Sequence, residues 1–158
     1  MPPDDREVPN GPPNGPSEAQ LSAIYQELIL DHFRRPRNKG AIEAPGARTA
    51  RRKNPLCGDE MTLSIAFDDD GRVSDARFTG HGCSISQASA SMLTQAVRGR
   101  SRAEVDALVA RFRAMMHGDR GAAADESLGE LRALSGVARF PSRIPCATLA
   151  WSALAELL

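Results

Sequence analysis

The chain has 158 residues, of which 41% are hydrophobic, and its 20 lysines and arginines are balanced by 20 aspartates and glutamates. This length and apolar content allow one domain with a substantial core and are too small for two ordinary domains. A net charge of zero argues against a general nucleic-acid binder. The sequence has no apolar run near the roughly 20 residues that cross a bilayer and no signal-peptide pattern. We therefore expect a cytoplasmic protein that binds neither nucleic acid nor membranes.

The first part of the chain predicts a disordered tail followed by a helix. Residues 1–16 are rich in proline, glycine and asparagine and offer little apolar surface to bury, which is typical of disorder. The folded domain is predicted to occupy residues 17–158. Ser17 and Gln20 fit a capping box, and apolar residues then recur at helical spacing. This first helix is predicted to end near Phe33.

The central part of the chain predicts a small antiparallel sheet. Apolar and polar residues alternate between residues 61 and 79, on either side of the turn signal at residues 68–71. This pattern predicts a β-hairpin with one buried face. The charged segment 48–52 predicts an additional outer strand, whose charges would protect the edge of the sheet.

Helical spacing returns after the hairpin and continues to the end of the chain. One helix is predicted from Ser84 onward, and a second capping box, Ser101 to Glu104, predicts the start of the next helix. Residues 117–140 are rich in alanine, glycine and acidic residues, so they are interpreted as an insertion that leaves the core, with one short helix in it. The last helix is predicted to begin near Pro145. The order of elements predicts an α+β fold in which about three strands pack against several helices.

Three cysteines are the residues most suited to chemistry. Cys57 lies in a tight Pro- and Gly-containing loop with Asp59 two residues away, Cys83 follows the second hairpin strand, and Cys146 falls in the first turn of the last helix. An odd number of widely separated cysteines in a chain without a secretion signal favours free thiols.

Two interpretations of these cysteines remain open at this level. A single free cysteine is often only a packed core residue, and the spacing of the three matches no zinc-finger pattern. All three nevertheless lie beside glycine or proline at the ends of elements, which favours a shared site. Three thiolates and the Asp59 carboxylate would suit tetrahedral zinc.

Four segments resemble the iron–sulfur cluster assembly U family. They are LILDHFRRPRN at residues 28–38, NPLCGD at residues 54–59, GCSISQASAS at residues 82–91 and IPCATLAW at residues 144–151. The resemblance covers nearly the whole chain outside the tail, and three cysteine motifs in this order are highly specific. It implies an α+β fold similar to that of IscU and of the NifU N-terminal domain.

Within that family, the chain is more similar to the SufU branch than to the scaffold branch. The resemblance places a histidine ligand directly before the third cysteine in scaffolds, and this position is Pro145 here. The stretch at about residues 117–140 is similar to an insertion that marks the SufU branch. The family pattern also places an arginine three residues before the last cysteine, which is Arg143 here.

The resemblance implies a zinc-dependent sulfurtransferase. Such a protein accepts persulfide sulfur from a SufS-type cysteine desulfurase and passes it to the SUF cluster-assembly machinery. The implied metal ligands are Cys57, Asp59, Cys83 and Cys146, and the implied catalytic residues are Cys57 as sulfur acceptor, Asp59 and Arg143. Two alternatives remain. The same four ligands could assemble a [2Fe–2S] cluster on a scaffold, or a structural zinc domain could dock partners through the basic segment 34–39.

The histidines and paired methionines have simpler interpretations. His32 falls on the apolar face of the first helix and is predicted to pack, His81 is predicted to face solvent, and His117 is predicted to end its helix. Met115 and Met116 are predicted to lie in the core rather than to bind a soft metal.

Overall fold

A computed structural model of the protein describes residues 17–56 and 58–158. The predicted disordered tail, residues 1–16, lies outside the described residues. The helices are α1 (Glu18–Arg34), α2 (Ser84–Val97), α3 (Arg102–Met116), α4 (Arg120–Ala123) and α5 (Ile144–Glu156), with a 3₁₀ segment (Glu126–Arg139) between α4 and α5. The strands are β1 (Arg48–Lys53), β2 (Glu60–Phe67) and β3 (Val73–His81).

Both predicted capping boxes form and fix the starts of α1 and α3. At α1, the Ser17 hydroxyl accepts a hydrogen bond from the Gln20 N–H at 3.1 Å, and the Gln20 side chain accepts from the Ser17 N–H at 2.8 Å. Ser101 and Glu104 make the same reciprocal pair at α3. These bonds satisfy N–H groups that have no partner inside the helix.

The three strands form one antiparallel sheet in the order β1-β2-β3. Met61, Leu63 and Ile65 of β2 alternate along the strand and are fully buried. The predicted hairpin is confirmed, with its turn closed by the Gly71 N–H donating to the Asp68 carbonyl at 3.0 Å. The predicted outer strand is also confirmed as β1, and its side chains are mostly exposed and charged.

A layer of helices covers the sheet. Helix α2 packs against β3, α5 packs against β1 and β2, and the two helices pack against each other. Helix α1 lies against α2, while Phe112 of α3 stacks on Trp151 of α5 with ring centroids 4.2 Å apart. The predicted α+β architecture is confirmed. None of the described helices is long and apolar enough to span a bilayer.

The segment at residues 117–140 contributes several side chains to the core, so the prediction that it leaves the core is wrong. Leu128, Leu131, Leu134 and Val137 are all buried in the main hydrophobic cluster. Gly129, with a φ of 54°, interrupts this 3₁₀ segment after Leu128. Beyond this kink, the spacing of three between Leu131, Leu134 and Val137 aligns them along one face of a helix with three residues per turn. Glu130 in this segment also contacts the buried His32 of α1, with 2.8 Å between the carboxylate oxygen and Nε2.

Asp125 caps the 3₁₀ segment and gives a pH-dependent prediction. Hydrogen bonds from the Ser127 hydroxyl and backbone N–H, and then one from Arg111, lower the pKa of Asp125 from 3.8 to about 2. Because its folded-state pKa is lower than its unfolded-state pKa, the stability it contributes is present above about pH 4 and is lost as the pH falls through about 2.

We therefore expect Asp125→Asn to unfold at lower urea concentration than the parent at pH 7. The difference between the two midpoints should shrink as the pH is lowered from 4 towards 2. Asp106→Asn, which removes an exposed carboxylate from α3, is the matched control and should shift the midpoint little. A difference for Asp125→Asn that stays constant down to pH 2 would contradict the assigned contacts.

Candidate metal centre

Three ends of secondary-structure elements meet at one point beside the sheet. Asp59 directly precedes β2, Cys83 is the N-cap of α2, and Cys146 lies in the first turn of α5. One carboxylate oxygen of Asp59 and the two Sγ atoms all lie within 4.8 Å of one another. Asp59 and Cys146 are buried, and Cys83 is partly exposed. The structure thus brings together three of the four predicted ligands.

A tight turn between β1 and β2 places Asp59. The Asn54 N–H donates to the Asp59 carbonyl, and the Gly58 N–H donates to the Asn54 carbonyl, each at 2.8 Å. Gly58 has a φ of 76°, a left-handed conformation that glycine adopts without steric cost. Leu56 is 87% exposed at the tip of this turn. Cys57, the predicted fourth ligand and sulfur acceptor, lies outside the described residues.

The start of α2 places Cys83. As N-cap residue, Cys83 has extended backbone, and its carbonyl accepts hydrogen bonds from the Gln87 N–H at 3.1 Å and the Ser86 hydroxyl at 3.0 Å. Its Sγ lies 3.8 Å from the Ser86 Oγ.

The start of α5 places Cys146 and Arg143. Arg143 is the exposed N-cap residue, and its carbonyl accepts from the Cys146 N–H at 3.0 Å. Pro145 occupies the first turn, where its lack of an N–H costs nothing. The predicted start of the last helix near Pro145 is therefore confirmed.

A buried hydrogen-bond chain holds the first turn of α5 against α2. The Ser89 hydroxyl donates to the Ala147 carbonyl at 2.6 Å, and the Trp151 indole N–H donates to the Ser89 oxygen at 3.0 Å. Ser89 and Trp151 are fully buried. Buried polar groups that are fully paired in this way specify one packing arrangement. The chain therefore fixes the helix that carries Cys146 beside the helix that carries Cys83.

The histidines keep the simpler interpretations given by the sequence. His32 is fully buried, with Nδ1 2.7 Å from the Ser91 Oγ, so the predicted packing is confirmed and the ring gains a polar contact. His81 is exposed, and His117 caps the end of α3, as predicted. Among the described residues, the group suited to a metal contains no histidine. Met115 and Met116 are core residues, also as predicted.

The donor set fits zinc. Zinc accepts thiolate sulfur and carboxylate oxygen at about 2.0–2.3 Å in tetrahedral geometry, so its donors lie roughly 3–4 Å apart. The observed upper limit of 4.8 Å between donor atoms is compatible with that spacing after small side-chain adjustments. Thiolates are also the ligands of iron–sulfur clusters, so the three described donors alone do not select one metal.

Sequence reasoning does not identify Ser86 as a residue of this site. Ser86 is buried in the first turn of α2, and its hydroxyl contacts both the carbonyl oxygen and the sulfur of Cys83. The available signal is its position three residues after an N-cap cysteine, where a side chain returns to the helix start. Serine is common at helix starts for capping alone, so this signal is not specific.

Comparison with known proteins identifies the family. The model of the NifU-like N-terminal domain matches residues 24–147, so the chain belongs to this family. The predicted resemblance is confirmed, and the family includes iron–sulfur cluster assembly scaffolds and SufU.

Two relatives match most of the chain. The iron–sulfur cluster assembly scaffold protein IscU of Streptococcus pyogenes serotype M1 is 43% identical over 140 residues, which cover 89% of this chain and 86% of the relative. The zinc-dependent sulfurtransferase SufU of Bacillus subtilis strain 168 is 44% identical over 138 residues, which cover 86% of this chain and 90% of the relative.

A solved structure with the same fold comes from Fervidobacterium islandicum AW-1. It is described as a candidate iron–sulfur cluster assembly scaffold protein for the SUF system. Its TM-score is 0.75 at 32% sequence identity, and the match covers 85% of this chain and 96% of that one. The fold and the family are thus supported by both sequence and structure.

Proposed function

We propose that this protein is a zinc-dependent sulfurtransferase of the cytoplasm. It accepts persulfide sulfur from a SufS-type cysteine desulfurase and passes it to the SUF machinery for iron–sulfur cluster assembly. The observation that carries the proposal is the convergence of the buried Asp59 and Cys146 with the partly exposed Cys83, whose donor atoms lie within 4.8 Å of one another. The name of the Bacillus subtilis relative supports the choice of zinc and of sulfur transfer.

Four residues of this chain would hold the zinc ion: Cys57, Asp59, Cys83 and Cys146. When bound, zinc keeps cysteines deprotonated and shields them from oxidation. Asp59, Cys83 and Cys146 come from three separate elements packed into the core, so the fold holds them together. The chain neighbours of Cys57, Leu56 and Gly58, are both exposed. This makes Cys57 the ligand whose release costs least.

Sulfur transfer to Cys57 balances without an oxidant. The Cys57 thiolate attacks the outer sulfur of the persulfide on the desulfurase, a new S–S bond forms, and the donor S–S bond breaks. The donor cysteine leaves as a thiolate, and Cys57 carries the persulfide. The reverse exchange with a recipient thiolate delivers the sulfur.

Asp59 and Arg143 have supporting roles in this proposal. Asp59, Cys83 and Cys146 would still hold the metal if Cys57 were released to accept sulfur. Arg143 is exposed at the N-cap of α5, and its carbonyl is bonded to the N–H of Cys146. Its positive charge favours the approach of an anionic persulfide.

Two features of this chain favour sulfur transfer over cluster assembly. Pro145, directly before Cys146, has no atom that can bind a metal, whereas the resemblance places a histidine ligand there in scaffolds. The insertion at about residues 117–140, which by resemblance marks the SufU branch, forms α4 and the 3₁₀ segment against the core.

The second candidate function is a scaffold that assembles a [2Fe–2S] cluster on Cys57, Asp59, Cys83 and Cys146. The Streptococcus pyogenes relative, which matches the chain equally well, is named a scaffold protein. Thiolate ligands serve iron–sulfur clusters as well as zinc.

Metal content separates the two functions. We expect protein purified without reconstitution to contain about one zinc per chain and no iron, because a closed site of thiolates and a carboxylate suits zinc. Elemental analysis of the colourless protein measures this directly. Stoichiometric iron and sulfide in a brown protein that is stable in air would instead favour the scaffold.

A further inference from the structure

The backbone of Gly82 lies against the carboxylate of Asp59, with no room for a side chain between them. A methyl group at this position would lie 2.8 Å from the Asp59 Cγ and 3.0 Å from its Oδ1, and it would also collide with the Ser86 Oγ. Contacts of this kind essentially do not occur between Cβ atoms and their neighbours. The φ of Gly82 lies outside the left-handed region. Glycine is therefore favoured here because a side chain would clash with Asp59 and Ser86, and not because of the backbone conformation.

The same small space contains the residue that contacts Cys83. Ser86 is 1% exposed, and its hydroxyl donates to the Cys83 carbonyl at 3.0 Å and lies 3.8 Å from the Cys83 Sγ. The Gly82 backbone is covalently joined to Cys83 and is in contact range of Asp59 and Ser86. The position of the Asp59 carboxylate therefore depends on the position of the backbone that carries the Cys83 sulfur.

We infer that Gly82 is a positioning residue of the metal centre. By allowing Asp59 to lie directly against the backbone that leads into Cys83, it sets the separation of the carboxylate from the two sulfurs and hence the affinity for the metal. This inference rests on the metal site of the proposed function. Residues outside the ligands that orient them commonly change metal affinity by about 10–100-fold.

The test is a double-mutant cycle between Gly82→Ala and Asp59→Ala. Zinc affinity is measured on the full chain by competition with a chromophoric chelator, and the ligand geometry is followed by the visible spectrum of the Co²⁺-loaded protein. Gly82→Ala should weaken zinc binding about tenfold or more and alter the Co²⁺ bands. In an Asp59→Ala background, the same change should cost less zinc affinity than in the parent, because the carboxylate is gone and only the clash with the Ser86 hydroxyl remains.

Two controls separate positioning from general damage. Gly136→Ala is the matched control, since a methyl there meets only the Arg139 Nη2 at 3.6 Å, and it should leave zinc affinity unchanged. Ser86→Ala combined with Gly82→Ala removes the clash with the hydroxyl. This double variant should regain the parent's melting temperature without metal but not its zinc affinity.

Several outcomes would overturn the inference. Parent-like zinc affinity in Gly82→Ala would do so, as would equal losses with and without the Asp59 carboxylate. Full recovery of zinc affinity in the Gly82→Ala/Ser86→Ala variant would show that only the hydroxyl clash matters. A parent chain that binds neither Zn²⁺ nor Co²⁺ would overturn the proposed function as well, whereas failure confined to the variants leaves that function standing.

Discussion

Replacing Cys57 with alanine should abolish the stimulation of a SufS-type cysteine desulfurase while the chain remains folded. The proposed mechanism requires a nucleophilic sulfur at this position, and alanine removes it. Leu56 and Gly58, the residues next to Cys57, are exposed and are not part of the core. Loss of the thiol should therefore leave the packing of the core intact. Desulfurase turnover with purified parent and variant measures the effect.

Asp59→Ala is the comparison that separates the acceptor from the other ligands. It removes a metal ligand and a negative charge but leaves the Cys57 sulfur, so partial stimulation should survive. Mass spectrometry should find an added sulfur of about 32 Da on the peptide that contains Cys57. If the added sulfur is found on Cys83 or Cys146, and Cys57→Ala still stimulates turnover, the assignment of the acceptor is wrong.

The sequence predicts the ends of elements well because local chemistry determines them. The capping boxes at Ser17 and Ser101, the turn at Asp68 and the proline at the start of α5 each satisfy backbone groups that would otherwise lack partners. The three described ligands lie at such ends. Their positions along the chain therefore indicate element junctions, although only the packed fold shows that these junctions meet.

The packing of residues 117–140 against the core could not be predicted from their amino-acid composition. The alanine, glycine and acidic content suggests an insertion outside the core with one short helix, but Leu128 and, beyond the kink at Gly129, Leu131, Leu134 and Val137 are buried in the main hydrophobic cluster. The leucines predict a short helix, but sequence patterns are usually tested against periods of 3.6 and 2, so the buried face that a period of three creates is not predicted. The contact between His32 and Glu130 is equally invisible, because its partners are 98 residues apart.

The role of Gly82 also depends on contacts across the fold. A glycine before a cysteine at a helix start is compatible with many explanations in sequence, including a simple turn. The structure excludes the explanation by a left-handed turn, because the φ of Gly82 is not in the left-handed region. It favours a packing role, because a side chain at Gly82 would contact Asp59, the residue before β2. Proximity between the ends of β3 and β2 is a property of the sheet register, in which Glu60 pairs with His81.

Cys83→Ser and Cys146→Ser should each lose zinc and lower the melting temperature. At free zinc about a thousandfold above the dissociation constant, binding contributes about 4 kcal/mol to the stability of the native state. For a domain of this size, each kcal/mol corresponds to about 2–4 °C, so the loss should be about 8–16 °C. Calorimetry of parent and variants, each with and without a chelator, measures it.

The expected pattern is that the chelator lowers the melting temperature of the parent but leaves both serine variants nearly unchanged. Thr148→Ala is the matched control, because it removes a hydrogen bond of 3.1 Å to the Ile144 carbonyl in the same turn of α5 without removing a ligand. This control should keep its response to the chelator. Serine variants that melt like the parent, or that still respond to the chelator, would show that Cys83 and Cys146 do not share a metal.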